Sequence, residues 1–187
     1  MAFYDVKYKF KRIGKNVFIG TNVYFRYPEH VEIGDNVIID EFCYFTTRMC
    51  IGNYVHISPH CSVIGGKKAE FIIGDFAGLS AGCRIVCSSD DYLGSGLTNP
   101  SIPEEFRAKV KYSSVTLQKH VVIGTGCVIL PGIVVAEGSA VGAMSLINKN
   151  LDAWGVYHGI PAVRRKDRPS ENILKLEQKL REHDRKS

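Results

Sequence analysis

Large apolar residues recur at every sixth position along most of the chain. The spacing slips by two residues after Phe25, by four after Val63 and by 26 after Ile85. The leading residues are Ile13, Ile19, Phe25, Ile33, Ile39, Phe45, Ile51, Ile57, Val63, Ile73, Leu79, Ile85, Leu117, Ile123, Ile129, Val135, Val141 and Ile147. Because a repeat this short can bury its apolar face only against neighbouring copies, the chain is predicted to form a solenoid.

Three hexads would complete one turn of a triangular coil, and the eighteen hexads would build about six coils. The first side would begin at Ile13, the second at Ile19 and the third at Phe25. Parallel strands stacked about 4.8 Å apart would make a prism roughly 25–30 Å tall. The fold class is therefore predicted to be all-β, a parallel β-helix.

The fifth place of each hexad should also point into the prism, and it holds mostly small residues. Four of the six cysteines fall in one such column on the second side, namely Cys43, Cys61, Cys83 and Cys127. Small buried thiols behave as compact apolar residues. We therefore predict that the column is a packing feature rather than a metal or redox site.

Each break in the repeat leaves the prism at the same corner, between the third and first sides. The breaks follow Glu29, Lys67 and Ser89, and the last opens a long loop at about 91–116. Loops held by a rigid scaffold often carry function. The chemistry is therefore expected at this corner.

The repeat ends at Ile147, and the Asn, Gly and Pro residues after it predict irregular chain. A short helix is predicted at about 171–182, with Ser170 as its N-cap. Its apolar face would consist of Ile173, Leu176 and Leu180. That face is expected to pack on the prism or on a neighbouring subunit. The predicted division is a β-helix domain at 1–168 and a helical tail at 169–187.

The composition, with 45% hydrophobic and 23% charged residues, is typical of a globular protein in water. No run of about 18 apolar residues exists and the N-terminus lacks the apolar core of a secretory signal, so a cytoplasmic protein without a membrane span is expected. Net charge is +5, and basic residues crowd at Arg164, Arg165, Lys166 and Arg168. This cluster is either a solvated tail or an anion site for phosphates. Its shortness and lack of aromatic residues argue against nucleic acid.

Four hexads, IGKNVF, IGTNVY, IGDNVI and IGTGCV, resemble the hexapeptide pattern of left-handed parallel β-helix acyltransferases. The segment GAMSLINKNLDAWGVYHGIPAVRRKDR is similar to the C-terminal signature of the galactoside, maltose and lipopolysaccharide-sugar O-acetyltransferases. The resemblance covers about residues 10–168 and implies a homotrimer with acetyl-CoA as the donor. The left-handed coiling is implied by the resemblance alone, since parallel crossovers are generally right-handed.

The resemblance also implies a cofactor groove between two subunits, along the C-terminal coils. The implied cofactor-binding residues are Gly124, Gly142 and Ala143 beside the pantetheine, Pro161 beside the adenine, and Arg164, Arg165 and Lys166 at the phosphates. Trp154 would either border the adenine or cap the end of the prism.

The catalytic residues implied by the resemblance are changed in this chain. In the related sugar acetyltransferases a histidine precedes the long loop, and an asparagine lies about thirty residues earlier. Here Asp90 stands at the histidine position and His60 at the asparagine position. An exchanged pair is predicted, in which His60 acts as the base and Asp90 orients it. The two residues would meet across the trimer interface. His120 is the alternative base.

Asp90 and Asp91 support a second interpretation, in which two carboxylates beside the acceptor bind the ammonium of an amino sugar. A neutral amine needs less help from a base than a hydroxyl does. The loop residues predicted to contact the acceptor are Asp91, Tyr92, Asn99 and Arg107.

The sequence thus favours acetyl-CoA-dependent O-acetylation of a sugar in surface-polysaccharide synthesis. One alternative is N-acetylation of a nucleotide-linked amino sugar. Another is a non-catalytic β-helix that serves assembly or binding. No metal is expected, because His56, His60 and His120 lack the spacing of a shared site between subunits.

Overall fold

The computed structural model describes residues 8–185, and most of its strands wind into a three-sided parallel β-helix. Residues 1–7 and 186–187, at the outer ends of the two predicted domains, lie outside the described residues. The first side contains β1 (Arg12–Ile13), β4 (Val31–Ile33), the end of β6 (Tyr44–Ile51), the end of β8 (Ser62–Ile73), β13 (Val115–Leu117) and β16 (Val134–Val135).

The other two sides are built from similarly short strands. The second side contains β2 (Phe18–Ile19), β5 (Ile38–Ile39), β7 (His56–Ile57), β9 (Gly78–Leu79), β14 (Val122–Ile123), β17 (Ala140–Val141) and β19 (Gly155–His158). The third side contains β3 (Tyr24–Phe25), the starts of β6 and β8, β10 (Arg84–Val86), β15 (Val128–Ile129) and β18 (Leu146–Ile147).

The register of the strands follows the six-residue repeat. Ile33 pairs with Ile51 on the first side, and Leu79 pairs with Ile123 on the second. All the leading residues except Ile13 are buried. The hydrophobic pattern therefore identified the inward face of each strand, and the predicted β-helix is confirmed.

The coil continues beyond Ile147, contrary to the prediction of irregular chain. Leu151 bridges to Val135, and β19 pairs in parallel with β17. The chain then turns back as β20 (Val163–Asp167), which pairs antiparallel with β19. This hairpin gives the second side a seventh strand. It covers a strand edge whose N–H and C=O groups would otherwise be unpaired, which is the physical reason for its order despite its Gly and Pro residues.

The four-cysteine column lies in the core, as predicted. Each thiol donates a hydrogen bond to a carbonyl oxygen of the next coil. Cys83 lies 3.2 Å from the oxygen of Gly124, and Cys127 lies 3.1 Å from that of Gly142. Burial raises the pKa of the Cys127 thiol. Within residues 8–185, no group of three or more His, Cys, Asp or Glu residues is placed to hold a metal ion.

The long excursion begins and ends in a two-stranded antiparallel ribbon. β11 (Ser88–Ser89) pairs with β12 (Lys111–Tyr112), so the segment between these strands is 90–110. The predicted loop at about 91–116 therefore includes some strand. Two short 3₁₀ helices also lie in excursions, at Pro28–His30 and Glu104–Phe106.

The C-terminal helix α1 (Glu171–Asp184) lies along the corner between the first and second sides. Side chains of successive coils stack at this corner: Tyr54 on Phe76, Phe76 on His120, and His120 against Trp154, with ring centroids 5.1, 5.2 and 6.1 Å apart. A helical turn of about 5.4 Å nearly matches the coil spacing of about 4.8 Å. Each turn of α1 can therefore contact the next coil along the prism.

Three charged residues on successive turns of the helix each contact a different coil of the prism. Glu177 contacts His120, Arg181 contacts Asp75 and Phe76, and Asp184 contacts Tyr54. On the predicted apolar face, Ile173 and Leu180 are half-buried whereas Leu176 is exposed. Ser170 precedes the helix, but its side chain makes no capping hydrogen bond. In the described part of the chain, no helix has the length and apolar character needed to cross a bilayer.

Replacement of Glu177 by glutamine should destabilise the protein at neutral pH. Burial alone would raise the pKa of Glu177, but hydrogen bonds from Lys119, Arg181 and His120 lower it to about 2. Since the folded pKa lies below the unfolded value, the stabilisation is present above about pH 4.5 and is lost as the pH falls towards 2. We expect a loss of about 1–3 kcal/mol in the free energy of unfolding at pH 7.

Urea unfolding of both proteins at pH 7 and pH 3 would measure this difference. It should shrink at pH 3, because the carboxyl group of Glu177 is then protonated in the unfolded wild-type chain but still ionised in the folded one. Glu182→Gln is the matched control, since Glu182 is exposed on the same helix and, among the described residues, hydrogen-bonds only Gln178. An equal loss of unfolding free energy at both pH values would contradict the interpretation that the charge of Glu177 causes the stabilisation.

Candidate active site

Asp90 directly follows the first strand of the ribbon at the base of the long loop. Ser89, the residue before it, is paired with Lys111 of β12. The side chain of Asp90 is exposed, and among residues 8–185 no hydrogen bond or ion pair to its carboxylate is found. Asp90 therefore presents a free carboxylate from a backbone that the ribbon holds in place.

Asp91 differs from its neighbour because its carboxylate already has partners. One oxygen accepts the N–H of Leu93 at 3.1 Å and the other accepts the N–H of Ser95 at 2.6 Å. Hydrogen bonding from Ser95, followed by that from Leu93, lowers the pKa of Asp91. The two aspartates, equivalent in the amino-sugar interpretation of the sequence, thus differ in the structure: Asp91 shapes the loop, and Asp90 is available to a ligand. Binding of an ammonium by Asp91 stays a prediction, and the geometry favours Asp90.

The other predicted acceptor contacts lie in different surroundings. Tyr92 is 88% exposed at the start of the loop. The amide oxygen of Asn99 accepts hydrogen bonds from the backbone and hydroxyl of Ser101, so this side chain is engaged within the loop. Arg107 is half-buried and lines a depression together with Lys68. Their roles in substrate binding stay predictions.

His60 lies at the corner between the second and third sides, away from the corner that carries Asp90. Its exposed ring stacks on Phe42 with the centroids 5.2 Å apart, and its φ is +62°. Its carbonyl oxygen accepts a hydrogen bond from the Arg84 guanidinium. The two residues thus occupy different edges of one protomer, as the sequence register required. Their contact across a subunit interface stays a prediction.

His120, the alternative base, is buried in contacts that hold the C-terminal helix on the prism. It is 5% exposed, it stacks on Phe76, and its Nε2 lies 2.7 Å from Glu177 under the C-terminal helix. The ring is therefore closed off from an acceptor sugar. The sequence did not single out His56 as a base, but Asp40 orients its exposed ring, with His56 Nε2 2.8 Å from an oxygen of the Asp40 carboxylate. Only the stacking of successive coils brings His56 and Asp40 together.

The glycines implied for the cofactor lie one coil apart at the end of the second side. The Gly124 N–H donates to Val141, and the Gly142 N–H donates to Tyr157, each at 2.8 Å. A Cβ on Gly124 would lie 2.6 Å from the backbone nitrogen of Ala143. The lack of a side chain at Gly124 therefore allows the coils to approach closely, and Ala143 is exposed beside it.

The basic cluster divides into two structural and two available cations. Arg164 bonds Tyr157, Asp167 and the carbonyl oxygens of the Ala153–Trp154 turn. Arg168 donates to the carbonyl oxygens of two corner residues, and burial lowers its pKa. Arg165 and Lys166 are exposed, and within the described residues they have no ion-pair partner. A bulge in the pairing of β19 with β20 places Arg164 opposite Tyr157 and Lys166 opposite Val156. The order of residues in the cluster did not predict this difference.

Two further residues of this region have defined positions. Pro161 is exposed and follows a cis peptide bond from Ile160. The Trp154 ring lies directly over Gly138, so that a Cβ there would come within 2.3 Å of the indole. Trp154 therefore caps the upper end of its corner, which is one of the two roles expected from the sequence.

The chain matches a protein-family model over a short segment and known enzymes over most of its length. A family model described as the hexapeptide repeat of succinyl-transferase matches residues 12–40. A dTDP-4-amino-4,6-dideoxy-D-glucose acyltransferase of Escherichia coli is 36% identical over 90% of this chain and 87% of its own length. Galactoside O-acetyltransferase of Escherichia coli is 23% identical over 83% of this chain and 63% of its own length.

Among solved structures, one N-acyltransferase is highly similar to this chain and a galactoside acetyltransferase is more distant. AntD, an N-acyltransferase from Bacillus cereus in complex with dTDP and 3-hydroxybutyryl-CoA, has a TM-score of 0.88 and 36% identity, covering 94% of this chain and 92% of that protein. Galactoside acetyltransferase in complex with coenzyme A has a TM-score of 0.57 and 20% identity, covering 88% and 68% respectively. The likeness to both confirms the predicted left-handed β-helix.

Proposed function

Since this chain belongs to the hexapeptide-repeat acyltransferases, we propose that it transfers an acyl group from acyl-coenzyme A to the amino group of a nucleotide-linked amino sugar. The observation that carries the proposal is the match, at 36% identity and over at least 90% of the chain, to two acyltransferases whose names or ligands specify an amino group or dTDP. Galactoside O-acetyltransferases match at only 23–27% identity. N-acylation, the alternative from the sequence, is therefore favoured over O-acylation.

The proposed reaction joins the amine nitrogen to the carbonyl carbon of the thioester. The C–N bond forms, the C–S bond breaks, and the proton released by the amine is taken up by the departing CoA thiolate. A neutral amine is already a good nucleophile, whereas a hydroxyl needs a base in the transition state. The segment 90–116 contains no histidine. An amine acceptor fits that composition better than a hydroxyl does.

Asp90 is the residue that would act on the amine. Its unpartnered carboxylate would bind the acceptor as an ammonium and take the proton that must leave before attack. Asp90 then releases that proton to water, because the thiolate takes up the second proton, which the nitrogen loses as the amide forms. The His60–Asp90 pair belongs to the O-acetylation hypothesis, and it stays a prediction that requires a neighbouring subunit.

Coenzyme A would lie along the C-terminal coils, with pantetheine beside Gly124, Gly142 and Ala143. Its phosphates would meet Arg165 and Lys166, while Pro161 would border the adenine. Arg164, which the sequence grouped with these cations, would instead hold the terminal hairpin together. A homotrimer would place this groove between two protomers, and acetyl-CoA is the donor to test first. The product would enter surface-polysaccharide synthesis.

Replacement of both Arg165 and Lys166 by alanine is expected to weaken CoA binding about 10- to 100-fold without loss of stability, because two charge-assisted phosphate contacts are removed. Arg164→Ala should instead lower the melting temperature and leave CoA affinity nearly unchanged, because the Arg164 side chain bonds residues of the hairpin. Calorimetric titration with CoA and thermal unfolding would measure the two effects. Unchanged CoA affinity in the double variant would contradict the assignment.

The proposed function is tested by thiol release from acyl-CoA with purified protein. Donors of increasing acyl length should be combined with dTDP-linked amino sugars and with the matching hydroxy sugars. Release that depends on an amino sugar, with amide formation verified by mass spectrometry, is the expected result. Turnover of hydroxy sugars alone would restore the O-acetylation hypothesis, and turnover of neither would favour the non-catalytic alternative.

A further inference from the structure

A cationic depression lies at the base of the long loop, on the other strand of the ribbon from Asp90. We call it the loop pocket, and the side chains that define it are Lys68, Glu104, Arg107, Lys109 and Tyr112. Three of these are cations and one is an acid. Among the described residues, none of the three cations is in an ion pair. The pocket therefore has an unbalanced positive charge.

The wall of the pocket is held in place by pairing within the loop. The N–H of Leu97 donates to Phe106, and the N–H of Ala108 donates back to Leu97, both at 3.0 Å. A Cβ on Gly96 would lie only 2.5 Å from the Ala108 nitrogen, so the two segments touch along their backbones. This contact fixes Arg107 and Lys109 on either side of Ala108. The cations are thus presented by an ordered wall.

The opposite wall comes from the prism itself. The Lys68 ammonium lies 5.5 Å from the centre of the Tyr112 ring, an attraction between a cation and the face of an aromatic ring. Lys68 belongs to β8 and Tyr112 to β12, so the contact joins the prism to the ribbon. The pocket is therefore anchored on both sides.

The ribbon also sets the position of the pocket relative to Asp90. Tyr112 pairs with Ser88 and Lys111 pairs with Ser89, and Asp90 follows directly. Two residues of extended strand span about 6.6 Å. The positive pocket and the free carboxylate are therefore neighbours on the same small ribbon, with charges of opposite sign.

We propose that the loop pocket binds the diphosphate of the nucleotide-linked sugar while the amino group of the same molecule reaches Asp90. This inference rests on the proposed function and adds the position of the acceptor. The diphosphate of a nucleotide-linked sugar carries two negative charges at neutral pH, which the three cations, less the one charge of Glu104, balance. The planar guanidinium of Arg107 can donate two parallel hydrogen bonds to phosphate oxygens, and the lysines supply point charges. The acceptor thus lies with its negative part on cations and its positive part on a carboxylate.

The test is calorimetric titration of dTDP and of thymidine into the full-length protein, with a double variant, Lys68→Ala/Lys109→Ala. The matched control is Lys175→Ala/Lys179→Ala, which removes the same charge from the exposed face of α1. We expect the loop-pocket variant to bind dTDP about tenfold more weakly or worse than the control. Thymidine affinity and CoA affinity should be the same in both variants. Wild-type affinity for dTDP should fall as salt is raised.

Affinity for dTDP within twofold of the control would overturn the inference, and so would a wild-type protein that binds thymidine as tightly as dTDP. Arg107→Lys gives a second measurement with little risk to folding, because it keeps the charge and removes the paired donors. Its dTDP affinity should fall between those of the wild type and the double variant. These binding results do not depend on turnover. Failure of acyl transfer with an intact dTDP site would reject the proposed function alone.

Discussion

The Asp90→Asn variant is expected to lose about a hundredfold or more of kcat/KM for the amino-sugar acceptor. Asparagine has nearly the same shape but has no charge to bind an ammonium and no basic oxygen to take its proton. Because the wild-type carboxylate makes no hydrogen bond to another described residue, its replacement should leave the loop and the free energy of unfolding unchanged. The measurement is steady-state thiol release at fixed acyl-CoA, together with thermal unfolding.

Two companion variants make the result specific. Glu105→Gln removes an exposed carboxylate from the same loop and should stay within about threefold of the wild type. His60→Ala should lose no more than about tenfold with an amine acceptor, because Asp90 acts on the amine directly. Equal large losses in His60→Ala and Asp90→Asn would instead support the pair across the subunit interface. Activity of Asp90→Asn within tenfold of the wild type would reject Asp90 as the residue that acts on the amine.

Truncation of Phe45 to alanine should cost about 3–5 kcal/mol of the free energy of unfolding. Phe45 is 1% exposed, and its ring lies 4.9 Å from that of Phe25 on the coil below. In a solenoid the stability of each coil depends on its contacts with its neighbours. The cavity would therefore weaken two coil interfaces at once. Urea unfolding followed by circular dichroism would give the loss as a shift in the midpoint.

Phe42 provides the control for this prediction within the same coil. It is the same residue type three positions earlier, but it lies at a corner, 56% exposed, and stacks on His60. Phe42→Ala should therefore cost less than about 1 kcal/mol, as for most surface substitutions. If the two variants were equally unstable, inward position in the hexad would not be what determines the contribution of a residue.

The candidate site could be predicted in part, because some of its signals are local in the sequence. The corner of the excursions followed from counting hexads, and Asp90 followed from the family resemblance, which puts it at the position of the histidine before the long loop. The difference between Asp90 and Asp91 could not be predicted. It depends on whether the N–H groups of Leu93 and Ser95 turn towards one carboxylate, which is a matter of loop conformation. The substrate preference also needed the relatives, because an amine and a hydroxyl can be held by similar groups.

The sequence alone determined the coil, its register and its inward faces, because strand alternation and the six-residue repeat are properties of neighbouring residues. Only the tertiary structure decided which charged groups are free to act. Arg164 and Lys166 are two residues apart, yet Arg164 bonds Tyr157 and Asp167 whereas Lys166 has no ion-pair partner among the described residues. His120 and Glu177 are 57 residues apart, yet they form a buried pair because the helix pitch matches the coil spacing. Availability depends on partners brought together by folding, and linear spacing carries no record of them.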